Sequence, residues 1–368
     1  MLHDTNMFSM VYFYTFTICS FNACIKKQFR SVQANTILSV GSVASMPKNM
    51  FDEEADRFNL LPFRHFDVME FVNQAQDSTW FVHEIGSLVK DLQDFSQMSP
   101  DERHFVAHVL AFFNIADGIV NQNLVMNIYP KINFPEIRLF YNQQIFIEGI
   151  HQQVYSLLLS TYVTDAAQAE FLVNSMETIP AVRNKADWAL TYMESESASF
   201  AQKLVAFACF EGIMFSGSFC AIFWLKRRGL VPGLSIANEF ISKDEGLHCQ
   251  FACFLYQHYQ TERLSDDQIL DIVTSCVETE YEFILSALPC SLIGMNADQM
   301  KQYIQFVADK VLIMLGSAPH YCVKNPFPWM VYLNLQVKTN FFDEKVASYQ
   351  QPEKVEVSLA ALAGDADF

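Results

Sequence analysis

The chain has 368 residues, about half of them apolar, with 34 Phe, 12 Gly, 12 Pro and a formal net charge of −17. That length is enough for one large core, and few helix breakers among many aromatic residues suit a deep helical interior. The negative charge excludes nucleic acid and anionic membrane surfaces as partners, because neither offers such a chain favourable charge pairing.

The first stretch, Met7 to Ile25, is nearly uncharged and rich in Phe and Tyr, and Lys26, Lys27 and Arg30 follow it. Two readings stand for it: a signal anchor or short membrane-spanning helix, and an extension outside the fold. Its Thr, Ser and Asn content and the lack of a preceding basic region favour the extension, so a membrane is not expected as a partner. We therefore divide the chain into an N-terminal extension (1–50), one helical domain (51–345) and a flexible tail (346–368). Apolar periodicity predicts helices over about 65–94, 101–128, 135–163, 167–177, 186–227, 234–259, 266–288 and 297–315. Breaks fall at Ser99-Pro100, Pro130, Pro135, Gly229 to Gly233 and Pro319 to Pro328. The nine cysteines are odd in number and form no Cys-x-x-Cys pair. They read as reduced thiols, which places the chain in a reducing compartment, the cytoplasm.

Two short stretches stand out: Glu148-Gly149-Ile150-His151 and Glu245-Gly246-Leu247-His248. Three residues apart on a helix, a carboxylate and an imidazole share a face and can grip one metal ion. Two such steps, with lone carboxylates from other helices, make the ligand set of ferritin-like di-iron and di-manganese carboxylate proteins. Tyr155 lies on the same stripe as Glu148 and His151, within reach of oxidation by an oxygen-activated metal pair. Glu211 is a carboxylate amid apolar residues, expensive there unless paired or coordinated. Phe215 and Phe219 continue its face as an aromatic wall. Asp244, next to a ligand, is placed to accept the second ring N–H of a metal-bound histidine and fix its tautomer.

Several longer stretches carry a family resemblance: Asp101-Glu102-Arg103-His104-Phe105, Glu148 to Tyr155, Lys185-Ala186-Asp187-Trp188, Glu211 to Phe219, Asn238 to His248 and Thr339-Asn340-Phe341-Phe342. From about Arg57 to Phe368 the chain resembles the eukaryotic-type small subunit of class I ribonucleotide reductase. The resemblance implies an all-α, ferritin-like helical bundle with a di-metal carboxylate site in its core. It implies two iron ions held by Glu148, His151, Glu211, Glu245 and His248, with manganese as the other metal in view. It further implies a tyrosyl radical at Tyr155, Asp244 on the electron path, and Tyr349 as a relay in the tail. The implied partners are a large subunit, docked by the tail ending at Phe368, and a second small subunit in a homodimer or heterodimer.

Two positions depart from the family pattern. The family's first ligand is an aspartate in a segment resembling Trp80-Phe81-Val82-His83-Glu84-Ile85-Gly86-Ser87-Leu88. Anchoring on Trp80 puts Gly86 at that ligand, and anchoring on Lys90-Asp91 puts Ser87 there. Neither has a carboxylate, which makes Glu84 the expected substitute after a local shift. Met69 falls where a relay tryptophan is expected. Both departures together suggest either an active subunit with an altered site or a degenerate paralogue that supports an intact small subunit.

Overall fold

The computed structural model describes residues 49–53, 56–287, 297–327 and 329–330. Among these there are helices and no strands. In chain order they are α1 (Phe66–Asp77), a 3-10 turn (Val82–Ile85), α2 (Val89–Gln97), α3 (Pro100–Asn123), α4 (Pro135–Tyr162), α5 (Ala166–Val173) and α6 (Ser175–Thr178). There follow α7 (Pro180–Met193), α8 (Phe200–Cys209), α9 (Ser216–Arg227), α10 (Pro232–Tyr259), α11 (Asp266–Ala287) and α12 (Ala297–Met314). Two π-helical segments, Leu124–Ile128 and Phe210–Met214, extend α3 and join α8 to α9.

Apolar spacing sets which face of each helix is inside. In α4 the buried positions run Ile137, Phe140, Tyr141, Gln144, Ile147, Glu148, His151, Val154, Tyr155, Leu158 and Tyr162, the three-and-four step of a helix with one covered face. The carboxylate and imidazole therefore sit within the apolar stripe, and the helix delivers them to the interior. α10 repeats the pattern through Ile241, Glu245, His248, Ala252, Leu255 and Tyr259. α4 packs on α3 and α1, and α10 packs on α8 and α9. Two helical stretches, Pro100–Lys131 and Phe200–Arg227, are long and apolar enough to cross a membrane, but 61% and 94% of their apolar windows are buried inside the protein. They are the core of the bundle.

Helix starts follow local chemistry. Pro occupies the first helical position of α3, α4, α7 and α10, where its missing N–H costs nothing. At α3, Ser99 Oγ accepts from the Glu102 N–H at 3.2 Å and Glu102 accepts from the Ser99 N–H at 2.9 Å. Arg228 pairs with the same Glu102 from the end of α9. Ser99→Ala should lower stability by about 1 kcal/mol, seen as an earlier urea transition. A transition at the unaltered urea concentration would show that the Arg228 pair alone holds this end.

The structure corrects the sequence in three places. Asn49 and Met50, assigned to the extension, belong to the body: Met50 is fully buried and its N–H reaches the Tyr259 carbonyl at 3.3 Å. The helix expected over 186–227 is α7, α8, a π segment and α9, parted by a loop at Glu194–Ser199. Ser199 there caps α8 just as Ser99 caps α3. The helix expected over 65–94 is two helices. Between them the chain turns to send Trp80 inward and leaves Gly86 at φ +78°, a conformation that favours glycine. The rest of the extension, residues 288–296 and the tail with Tyr349 and Phe368 lie outside the described residues.

Candidate metal centre

Four helical segments converge on one buried cluster. α4 brings Glu148 and His151, α10 brings Asp244, Glu245 and His248, the π segment brings Glu211, and α3 brings Asp117. Ligand atoms of Glu148, Glu211, Glu245 and His248 lie within 4.8 Å of one another, and so do those of Asp117, Glu148 and His151. Glu148 belongs to both groups, so the geometry is that of two adjoining cation sites sharing a carboxylate.

Both imidazoles turn Nδ1 into the cluster. His248 Nδ1 is 3.0 Å from Glu148 and 3.1 Å from Glu245. His151 Nδ1 is 3.3 Å from Glu148 and 3.1 Å from Glu245, close enough for ion pairing but not aligned for a hydrogen bond. Its other nitrogen, Nε2, is 3.0 Å from Asp244 Oδ2. The same Asp244 oxygen accepts from Trp80 Nε1 at 2.7 Å, and the indole lies nearly parallel to the His151 ring with centroids 5.9 Å apart. Gln144 donates to Glu211 at 2.9 Å.

The residues fit a pair of divalent cations. Both oxygens of Asp117 and one oxygen each of Glu148, Glu211 and Glu245 are buried without a hydrogen-bond partner. Such groups are costly unless something positive meets them. Without cations the carboxylates strain against one another. Burial and then the charge of Glu148 push Asp117 well above the carboxylate range, and burial with Glu245 and Glu148 does the same to Glu211. For His248 burial opposes the charge, but Glu148 and Glu245 outweigh it and raise the imidazole to about 9. Four carboxylates facing two imidazoles supply four negative charges, the complement of two divalent ions.

Tyr155 is buried beside this cluster, its hydroxyl without a hydrogen bond. Burial and the neighbouring Asp117 hold the phenol protonated far above its ordinary range. Its ring packs on Phe113 at 4.7 Å, and Phe215 and Phe219 stack behind Phe113 at 5.6 and 5.3 Å. The aromatic wall expected from Phe215 and Phe219 therefore meets Tyr155 through Phe113.

Two sequence expectations fail here. Glu84 does not swing in: it is exposed and accepts from the Phe81 N–H at 2.8 Å, capping its own turn. The additional carboxylate of the cluster is Asp117, fully buried on α3. Nor is an indole lacking beside Asp244, since Trp80 fills that place while Met69 packs in the core on α1. Gly86 and Ser87 lie exposed in the connection to α2.

An all-helical fold enclosing such a cluster defines a di-metal carboxylate protein. The family description "Ribonucleotide reductase, small chain" matches residues 57–326. The ribonucleoside-diphosphate reductase small chain of Trypanosoma brucei brucei is 47% identical over 321 residues, covering 87% of this chain and 95% of its own. Subunit M2 of Danio rerio is 45% identical, covering 89% of this chain and 83% of its own. Among solved structures, the Rnr4 homodimer of Saccharomyces cerevisiae superposes with a TM-score of 0.71 at 31% identity, covering 76% of this chain and 88% of that one. The dimanganese(II) NrdF of Streptococcus sanguinis, at 18% identity and a TM-score of 0.67, shares the fold. The chain belongs to the ribonucleotide reductase small-chain family, as a eukaryotic-type class I small subunit of ribonucleoside-diphosphate reductase.

Proposed function

We propose that this chain is the radical-generating subunit of its reductase, holding two iron ions with Asp117, Glu148, His151, Glu211, Glu245 and His248. The observation that carries the reading is the buried, unpartnered Tyr155 hydroxyl beside a cluster of unpartnered carboxylates. An iron pair exposed to oxygen supplies a strong one-electron oxidant. Tyr155 would answer it by passing one electron to that oxidant and its hydroxyl proton to an unpartnered carboxylate of the cluster, Asp117 being the nearest in charge, leaving a neutral phenoxyl radical. The Phe113, Phe215 and Phe219 rings exclude water and reductants from that radical. Trp80, Asp244 and His151 form a hydrogen-bonded line leading away from the cluster, the start of a path for an electron drawn by the large subunit. Tyr349 continues the path in the tail, and the segment ending at Phe368 docks on the large subunit. The chain pairs with another small subunit, a homodimer or heterodimer, and works in the cytoplasm, where its cysteines stay reduced. Manganese takes the same oxygen and nitrogen donors, so metal content is measured together with the radical.

A supporting partner without chemistry of its own was suggested by two apparent gaps, at the first carboxylate and at the indole. Asp117 grouped with Glu148 and His151, and Trp80 donating to Asp244, speak against both gaps. The active reading therefore has the stronger support.

The test is an electron paramagnetic resonance spectrum after anaerobic Fe(II) loading and exposure to oxygen. A tyrosyl signal is expected, and Tyr155→Phe should abolish it while two irons per chain still bind. No signal from the unaltered, iron-loaded chain would sink the proposal and restore the supporting-partner reading. A signal that survives Tyr155→Phe would move the radical to another residue.

A further inference from the structure

The π segment carrying Glu211 ends in a break between two pairing schemes. Within it main-chain N–H groups reach back five residues, and in α9 they reach back four, so groups at the junction leave the regular ladder. Side chains meet several of them. Ser216 Oγ donates to the Ile213 carbonyl at 2.7 Å. Lys185 Nζ, from α7, donates to the Met214 carbonyl at 2.5 Å. Glu280, from α11, accepts from the Gly217 N–H at 2.9 Å.

Lys185 and Glu280 also meet each other at 2.6 Å, and neither side chain has any exposed surface. Burial presses both towards neutrality, Glu280 up to about 7 and Lys185 down to about 8. A pair so costly to bury is weak as a source of stability by itself. Its second hydrogen bonds are what set it apart, because both close on the few residues after Glu211. The Lys185 ammonium is held over the Phe112 ring at 3.4 Å and the Phe283 ring at 4.1 Å, which fixes its position.

The glycines of the segment agree with close support. A Cβ at Gly217 would come within 2.6 Å of Ile284 and 2.7 Å of Glu280, so only glycine lets α11 approach this closely. A Cβ at Gly212 would lie 2.6 Å from the Cys249 sulfur on α10. The π segment is thus pressed against α10 on one side and tied to α7 and α11 on the other.

We propose that Lys185 and Glu280 act as positioning residues for Glu211, splicing the helix break behind it and so fixing where its carboxylate enters the metal cluster. The inference rests on the reading of Glu211 as a metal ligand. It adds that the ligand's placement depends on an ion pair whose hydrogen bonds reach the main chain at Met214 and Gly217 and none of the cluster side chains.

The double variant Lys185→Met/Glu280→Leu removes both charges together and leaves no lone charge buried. It is compared with the unaltered chain by amide hydrogen exchange of the metal-free protein and by anaerobic Fe(II) titration. We expect exchange to quicken by about tenfold or more over residues 211–218 while α3 and α4 keep their protection. We expect one iron per chain to bind about 10–100-fold more weakly, the usual cost of losing an outer partner of a ligand. Lys185→Met/Glu280→Gln restores an acceptor for Gly217 and should recover part of both effects. It also takes over both measurements if the first variant does not fold. Iron affinity within twofold of the parent, or exchange quickened evenly through the bundle, would overturn the proposal and leave the pair as ordinary core structure. If the parent itself binds no iron, the reading of the cluster fails, whereas selective local exchange in the variant still establishes the splice.

Discussion

Asp117→Asn should lower iron binding to about one tightly held ion per chain and remove the Tyr155 signal. The substitution preserves shape and deletes one charge from a fully buried site whose four carboxylates balance two cations. It also puts amide hydrogens where both Asp117 oxygens have no protein donor. The loss in affinity should be at least as large as the roughly 10–100-fold that follows removal of an outer partner. The metal-free protein should respond in the opposite direction. Burial and Glu148 raise the Asp117 pKa in the folded state. A carboxyl raised in this way favours folding only below its unfolded pKa, and at pH 7 its ionisation opposes folding. Metal-free Asp117→Asn should therefore melt higher than the parent at pH 7, with the gain disappearing as the pH falls below the unfolded value. Glu84→Gln, altered at the surface, should change neither iron content nor signal. Full iron content in Asp117→Asn, together with a loss in Glu84→Gln, would return the additional ligand to the sequence-derived position.

That contrast shows where the sequence was legible. Glu148 and His151, and Glu245 and His248, announce themselves because helical spacing puts a carboxylate and an imidazole on one apolar face. Glu211 follows from the cost of a lone carboxylate among apolar residues. Asp117 carries the same signal, in Phe113-Asn114-Ile115-Ala116-Asp117-Gly118-Ile119-Val120, within a helix whose flanking positions are buried. Anchoring on Trp80 and continuing forward as one helix passes it by. The chain instead bends after Asp77 and crosses an exposed connection containing Gly86 and Ser87. Counting along one segment cannot find a ligand contributed by the next helix, since that proximity is created by α3 packing on α4. The π segment was invisible for a related reason: its apolar pattern reads as unbroken helix, and only the main-chain pairing reveals it.

Trp80→Phe should separate making the radical from using it. Phenylalanine fills most of the same space against Phe240 and His151 but has no N–H to give Asp244. Asp244 then keeps His151 as its partner, so the imidazole stays oriented and both irons remain bound. The Tyr155 signal should still form when excess reductant supplies the extra electron, because Trp80 hydrogen-bonds Asp244 and none of Asp117, Glu148, Glu211 and Glu245, the carboxylates grouped for the cations. Reductase turnover with the large subunit should fall by about 100-fold or more, the upper end of what losing such a hydrogen-bonded partner costs, since the benzene ring is also a far poorer electron carrier. The measurement is a pair of readings on one preparation: radical per chain by electron paramagnetic resonance, and deoxyribonucleotide formed per minute. Equal losses in both would mean that Trp80 serves the assembly of the site. Unchanged turnover would remove Trp80 from the path and leave Asp244 and His151 to be tested as its members.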